Sequence, residues 1–368
     1  FGAGEADQLR RAMAAWKRKG GLEKFHDKLI NGMLERGYQL EFAEALFSQI
    51  EGFAEYGFPE SHAASFALLA YASAWMKCHH PAAFLAALLN SQPMGFYSPS
   101  QLVQDARRHG VEVRAVDVMH SDWEATLETY QRRAPAVRLG LNRVHGLAQQ
   151  SGWRIEEARA IKDFSDLNDL ALRASLSQSD LHALAAANAL QSIAGHRREA
   201  VWHAMVATPG KGLLKGAATA IDRVQLPAPS EAQQIVADYR SIGLTLGRHP
   251  LALLRSHLLK RRLLPANTLA KFKHGQLARA CGIVTVRQRP ATAKGTVFVT
   301  LEDETGTVNV IVWPTLVEQQ RQPLLQASLL AVYGIWQTDN SVNHLIANRL
   351  VDLTDLLGSL QTASRDFC

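Results

Sequence analysis

With 368 residues, 47% hydrophobic and 20% charged, the chain is long enough to bury more than one core and reads as two or three soluble globular domains. No run approaches the roughly 18 to 20 uninterrupted apolar residues of a membrane span, and no basic start followed by an apolar stretch marks secretion, so cytoplasm is the expected compartment and a membrane is not an expected partner. Three distant cysteines, Cys78, Cys281 and Cys368, supply neither a disulfide framework nor a zinc knuckle, and Cys78-His79-His80 reads as helix-end packing because adjacent helical residues point in different directions.

Charge is informative by position. From Tyr239 to Leu301 there is no Asp or Glu but twelve Lys or Arg: Arg240, Arg248, Arg255, Lys260, Arg261, Arg262, Lys271, Lys273, Arg279, Arg287, Arg289 and Lys294. The whole chain nets +6, so the rest nets −6. Such segregation is the footprint of a polyanion partner, because neutralised phosphates release counterions. A solvated basic face, an acidic protein and an anionic lipid surface are the competing readings.

In chain order, Glu5 to Lys19 reads as a basic amphipathic helix stopped by Gly20-Gly21, and Glu41 to Phe53 carries Phe42, Leu46, Phe47, Ile50 and Phe53 at helical spacing. A long apolar helix follows the turn at Glu55 to Pro59, opens with Ser61 as its expected cap and is expected to be buried on nearly every side. Ser98-Pro99 starts another helix, cap followed by proline. Val111 to Val118 alternates as a strand, expected to pair with Ala125 to Leu127 and Ala136 to Leu141.

Leu139 to Ile193 contains two short helix pairs. In the first, Gly146 stands between Val144-His145 and Leu147-Ala148, where a tight turn would aim backbone amides outward. This is the pattern of a helix-hairpin-helix, whose turn amides hold a DNA phosphate, although Ala148 stands where a second glycine would strengthen it. An ordinary helical hairpin fits the second pair equally well. Ala207 to Ser230 reads as a linker and Glu231 to Leu264 as a helical piece. Beyond Gly275 the periodicity becomes two, with about five strands, turns at Asp303 to Gly306 and at Asp339-Asn340, and a helical insertion from Pro314 to Gln326. This matches the small barrel of the oligonucleotide-binding (OB) fold. Arg287, Arg289, Lys294, Phe298 and Trp313 are candidates for its strand-gripping side, with core packing the alternative for each aromatic. Glu302-Asp303-Glu304 reads as a solvated turn rather than a metal site.

The segments EADQLRRAM, YGFPESHAASFALLAYASAWMKCHHPAAFLAALLNSQPMGFYSPSQLVQDARRHGVEV and LGLNRVHGL, in that order and ahead of a barrel, resemble the bacterial C-family DNA polymerases. Pro59-Glu60, Gly95-Phe96-Tyr97 and the ending SRDFC look like the damage-inducible, error-prone branch, paralogous to the replicative alpha subunit. The resemblance covers essentially the whole chain and implies a carboxy-terminal piece: fingers over 1–92, helix-hairpin-helix region with a small sheet over 93–205, linker and basic helical segment over 206–264, OB barrel over 265–355 and a short tail over 356–368. The expected architecture is therefore multidomain, mainly α, followed by a small all-β barrel.

The resemblance implies that Tyr56, His62 and Arg10 belong to the pocket of the incoming deoxynucleoside triphosphate, with Ser61 and the helix dipole completing an anion seat. DNA, as primer-template and single-stranded template, would meet Arg143, His145, Gly146, Arg261, Arg262, Arg287, Arg289, Lys294 and Phe298. Pro59 stands where replicative relatives often place asparagine, removing a side-chain donor and a backbone N–H, which implies a looser grip on the nascent pair. Nucleotidyl transfer in the family uses palm carboxylates and Mg2+. No paired Asp motif is read here, so the chain is expected to bind no metal, to be inactive alone and to begin at Phe1 within a longer protein. The linker carries no glutamine-to-aromatic clamp peptide, which implies that a sliding clamp is reached indirectly, through accessory Y-family-like and RecA-like mutagenesis proteins. The competing classes are the replicative alpha subunit itself, a non-catalytic DNA-binding module with the same units, and an RNA-binding protein.

Overall fold

The computed structural model describes residues 4–5, 8–9, 23–56, 60–95, 97–129, 134–206, 226–290, 293–339, 342–360, 362 and 364–367. Most of the expected helix Glu5 to Lys19, most of the linker, Pro59, Phe96 and Asn340 lie outside them. Two compact units divide at His80/Pro81.

In the first unit, α1 (Glu23–Leu34) and α2 (Leu40–Tyr56) pack through Ile30, Ala43 and Phe47, with the His26 ring edge-on to Phe47 at 4.6 Å between centroids. Gly37, at φ +84, makes the left-handed turn that ends α1. Helix α3 (Glu60–His79) corrects an expectation. Every side chain from residue 64 to residue 80 is exposed, Leu68 and Tyr71 at 73% each, whereas the sequence pattern predicts a buried rod. Its apolar residues surround the axis without a polar face, a pattern that demands cover without saying where the cover comes from.

The second unit opens with α4 (Pro81–Asn90), whose Ala82, Leu85, Ala86 and Leu89 enter the same core as the helix-hairpin-helix region instead of staying with the preceding helices. Ser98 and Gln101 form a full capping box at the start of α5 (Pro99–Arg108). The small sheet has the order β1 (Val113–Arg114), β3 (Ala136–Arg138), β2 (Thr126–Glu128). β1 runs parallel to β3 and does not pair with β2, unlike the expected pairing. After the 3-10 turn Leu141–Arg143 come α6 (Gln149–Ile161), α7 (Leu167–Arg173), α8 (Gln178–Ala186), α9 (Gln191–Ala194) and α10 (Arg197–Val206), packed around Leu139, Leu141, Ile155, Leu170, Leu181 and Leu184. Gly152 on α6 faces Trp123 so closely that a Cβ would enter the indole ring.

The expected helical piece is two helices, α11 (Glu231–Ile242) and α12 (Pro250–Lys260), because Gly243 turns left-handed at φ +75 and His249-Pro250 restarts the chain. After the short α13 (Ala266–Leu269), the strands β4 (Leu277–Gln288), β5 (Val297–Asp303), β6 (Gly306–Val312), β7 (Leu329–Asp339) and β8 (Val342–Asp352) follow in the order β5-β6-β8-β7-β4. Pairing of β4 with β5 closes the barrel, and β6–β8 is its one parallel pair. The insertion between β6 and β7 is two short helices, α14 (Pro314–Gln319) and α15 (Arg321–Gln326), and β9 (Arg365–Phe367) adds parallel to β4. Val297, Val299, Leu301, Val308, Val310 and Val312 alternate into the core, with Trp336 from β7.

Candidate nucleic-acid interface

The hairpin at residues 140–149 is built by close approach. A Cβ on Gly140 would collide with the backbone of Trp123 and Glu124, so the chain passes there only as glycine. The amides of Leu141 and Asn142 then donate to the carbonyls of Asp122 and Trp123 at 2.8 and 2.9 Å. Gly146 has φ +85 with nothing within 4 Å of an added Cβ, so it is required for its backbone and faces open space. Helix α6 starts directly behind it with Ala148 at the N-cap and no side-chain cap bond, leaving first-turn amides as donors.

Arg143 stands in this turn, half-buried. Its Nε is buried and reaches no hydrogen-bond partner, and burial pushes its pKa below the ordinary arginine value. A guanidinium remains charged there, so the turn carries a cation that meets no acceptor through Nε among the described residues. His145 is exposed but anchored: its Nδ1 donates to the Arg240 carbonyl at 2.9 Å, and its amide to the Ser241 carbonyl at 2.8 Å. The hairpin is thereby clamped to the carboxy-terminal end of α11, whose last carbonyls are free to accept. His145, Gly146, His182, Arg197 and Arg240 line a cavity of about 1320 Å3 that also reaches Leu357 to Ser359. Arg240 and His182 were not singled out from the sequence; Arg240's place in the acid-free run was the available signal.

On the barrel, the predicted residues separate. Arg289 and Lys294 are exposed in the loop joining β4 to β5, a binding loop of this fold, and Lys294 adopts φ +48. Phe298 is half-buried on the outward side of β5, in register with Ile311 of β6; alternation puts Trp313, 51% exposed, on the same side. Thr300 and Asn309 pair beside them at 3.3 Å. Arg287 is a correction. It is 6% exposed and donates to the carbonyls of Leu324 (2.7 Å) and Ala327 and to Ser364 Oγ (2.5 Å), with Asp366 at 3.4 Å, so it fastens α15 and β9 to the barrel and offers nothing to a strand.

Of the other basic candidates, Arg261 and Arg262 are exposed at the end of α12, Arg262 at φ +58. Two further members of the basic run are engaged internally. Arg248 pairs with Glu231, and Arg255 meets Glu304 through two bonds of 2.5 and 2.8 Å with Asp303 at 3.3 Å. The acidic trio is therefore no solvated turn: Glu302 and Asp303 are 5% and 4% exposed. Asp303 also accepts the amides of Ala266 (2.7 Å), Thr305 and Gly306, and Glu302 faces His249 at 3.6 Å. These carboxylates do not fit an Mg2+ site, and among the described residues no group of three or more His, Cys, Asp or Glu could hold a metal. Cys281, buried with its thiol pushed up to about 12, is no nucleophile.

For the nucleotide seat, Arg10 lies outside the described residues. Tyr56 ends α2 and Ser61 and His62 lie in the first turn of α3, but their side chains are outside the described set. Because α3 begins at Glu60, Ser61 is inside the helix and not its cap.

A helical hairpin with an open glycine turn, followed by a closed five-stranded barrel with a basic loop, defines a chain of helix-hairpin-helix plus OB type. Family models agree: a helix-hairpin-helix motif matches residues 110–200 and an OB-fold nucleic acid binding domain matches 278–353. Over its full length the chain is homologous to error-prone DNA polymerases. It is 60% identical to those of Bordetella parapertussis and Burkholderia pseudomallei and 55% identical to that of Alkalilimnicola ehrlichii. It spans only 35 to 36% of these relatives' length. A solved asparaginyl-tRNA synthetase from Pyrococcus horikoshii overlaps 22% of the chain and 20% of its own, at 21% identity and a TM-score of 0.20, too slight a likeness to carry an argument.

Proposed function

We propose that the chain is the carboxy-terminal, DNA-holding part of an error-prone DNA-directed DNA polymerase that acts in damage-induced translesion synthesis. The observation that carries this reading is the unpartnered, half-buried Arg143 beside an open Gly146 turn and an uncapped helix start. Together they offer a guanidinium and backbone amides to one phosphate of a duplex. Arg289, Lys294 and the outward side of β5 and β6 then hold the single-stranded template.

The remaining assignments rest on the family resemblance: triphosphate binding by Arg10, Tyr56, Ser61 and His62, Mg2+ held by palm carboxylates outside this chain, accessory mutagenesis proteins as partners, indirect clamp contact and a cytoplasmic setting. Among the described residues no helix is long and apolar enough to cross a membrane. Fluorescence anisotropy with a labelled primer-template tests the reading. Arg143→Ala weakens duplex binding about tenfold; unchanged affinity removes the hairpin from the interface. Triphosphate binding that survives His62→Ala would sink the nucleotide seat.

A further inference from the structure

The barrel has a second outward side. β4, β7 and β8 lie next to one another, and their register sets Arg279 opposite Tyr333 and Tyr333 opposite Arg349. The guanidinium carbons of Arg279 and Arg349 stand 5.4 and 5.8 Å from the centre of the Tyr333 ring. Both arginines are exposed and Tyr333 is half-buried. Unlike Arg248, Arg255 and Arg287, neither has a hydrogen bond or ion pair with any described residue. Next along the strands, Leu277 is 78% exposed opposite Ile335 at 39%. Lys273 is exposed at the same end, where the His274 ring lies 3.2 Å from the Thr338 carbonyl. Asp339 on β7 is six residues beyond Tyr333, about 20 Å along the strand, and exposed Asp352, three residues beyond Arg349 on β8, alternates to the other side of the strand and accepts from Thr354.

We propose that this side of the barrel is a second contact for single-stranded nucleic acid, distinct from the β5–β6 side and its basic loop. The inference rests on the reading that the chain holds DNA. Each guanidinium is steadied against the ring by cation–π attraction and keeps its N–H edges for a phosphate. The two stand two strands apart, about 10 Å, so they meet different phosphates of one strand. Leu277 and Ile335 supply the apolar ground on which a base lies, a requirement an acidic peptide does not share.

The test is strand-length dependence on the whole chain, measured by anisotropy with labelled oligothymidylates of about ten and about thirty nucleotides across a salt series. Arg279→Gln with Arg349→Gln weakens the long strand about tenfold, lowers the log–log salt slope by about 1.4, and leaves the short strand unchanged. Arg289→Ala with Lys294→Ala weakens both strands. Tyr333→Leu, checked for an unaltered thermal midpoint, weakens the long strand in the same direction. The proposal is overturned if the double glutamine variant keeps the long-strand affinity and slope, or loses only the ability to bind polyglutamate. Absence of strand binding by the unaltered chain sinks the underlying reading as well, whereas loss confined to Arg289 and Lys294 leaves that reading standing.

Discussion

The hairpin and the barrel each place an arginine where the sequence suggests DNA, and they treat it in opposite ways. Arg143 in the hairpin turn is half-buried with its Nε unbonded, while Arg287 on β4 is almost fully buried and bonded to two carbonyls and a hydroxyl. Both arginines are cations next to apolar sequence. What separates them is whether the chain itself supplies the acceptors, and only the unsupplied cation is left to a ligand.

The largest effect that sharpens this contrast is on folding. Arg287→Ala leaves the Leu324 and Ala327 carbonyls unmatched and loosens β9, costing about 3 kcal/mol in denaturant unfolding, with strand affinity falling only as the folded fraction falls. Gly152→Val drives a side chain into the Trp123 ring and costs about 1–3 kcal/mol by the same measurement. Arg143→Ala reverses the pattern: stability holds or rises slightly, because a partly desolvated cation is removed, while duplex affinity drops by about 1.4 kcal/mol. Equal behaviour of the two arginine variants in both assays would break the comparison.

Acid supplies a gentler probe. Burial alone would push Glu304 up, but its bonds to Arg255 outweigh that and hold it below the usual 4.5; the Arg138 guanidinium likewise holds Glu128 down. With folded values depressed, the stability they contribute is fully present above about 4.5 and is lost as pH falls through the folded values. Stability measured from neutral pH to pH 3 therefore falls more steeply below about 4.5 in the unaltered chain than in Arg255→Gln. The smallest change belongs to Arg261→Ala with Arg262→Ala: exposed at a helix end, they alter stability by no more than about 0.5 kcal/mol and show themselves in the salt slope of binding if they meet phosphate.

Local signals were well written in the sequence. Ser98-Pro99 starts a helix as a cap should, and alternation on β5 separated Val297, Val299 and Leu301 from Phe298 and Thr300. Gly146 marked the hairpin turn. What escaped depends on distant chain. Arg287 finds its acceptors 37 and 40 residues away, and the trio at Glu302 is covered by Arg255 and His249 from α12 and its cap. The parallel pairing of β1 with β3 likewise has no local signature. Helix α3 shows the same limit in reverse, since hydrophobicity on all sides calls for cover without naming the surface that supplies it.

The pair α11 and α12 works as a strut. One end is tied to the hairpin region through His145 on the Arg240 carbonyl and Arg197 on Asp238, and the other to the barrel through Arg255 on Glu304. Half-buried Tyr239, its phenol pushed up to about 12 by desolvation, packs against the apolar core that α11 and α12 share with β4 and β7. A span braced at both ends is a ruler: on the proposed reading, duplex seated at one end sets the interval at which the unpaired strand arrives at the other. A junction of the matching length would on that reading gain avidity that neither duplex nor single strand alone can reach.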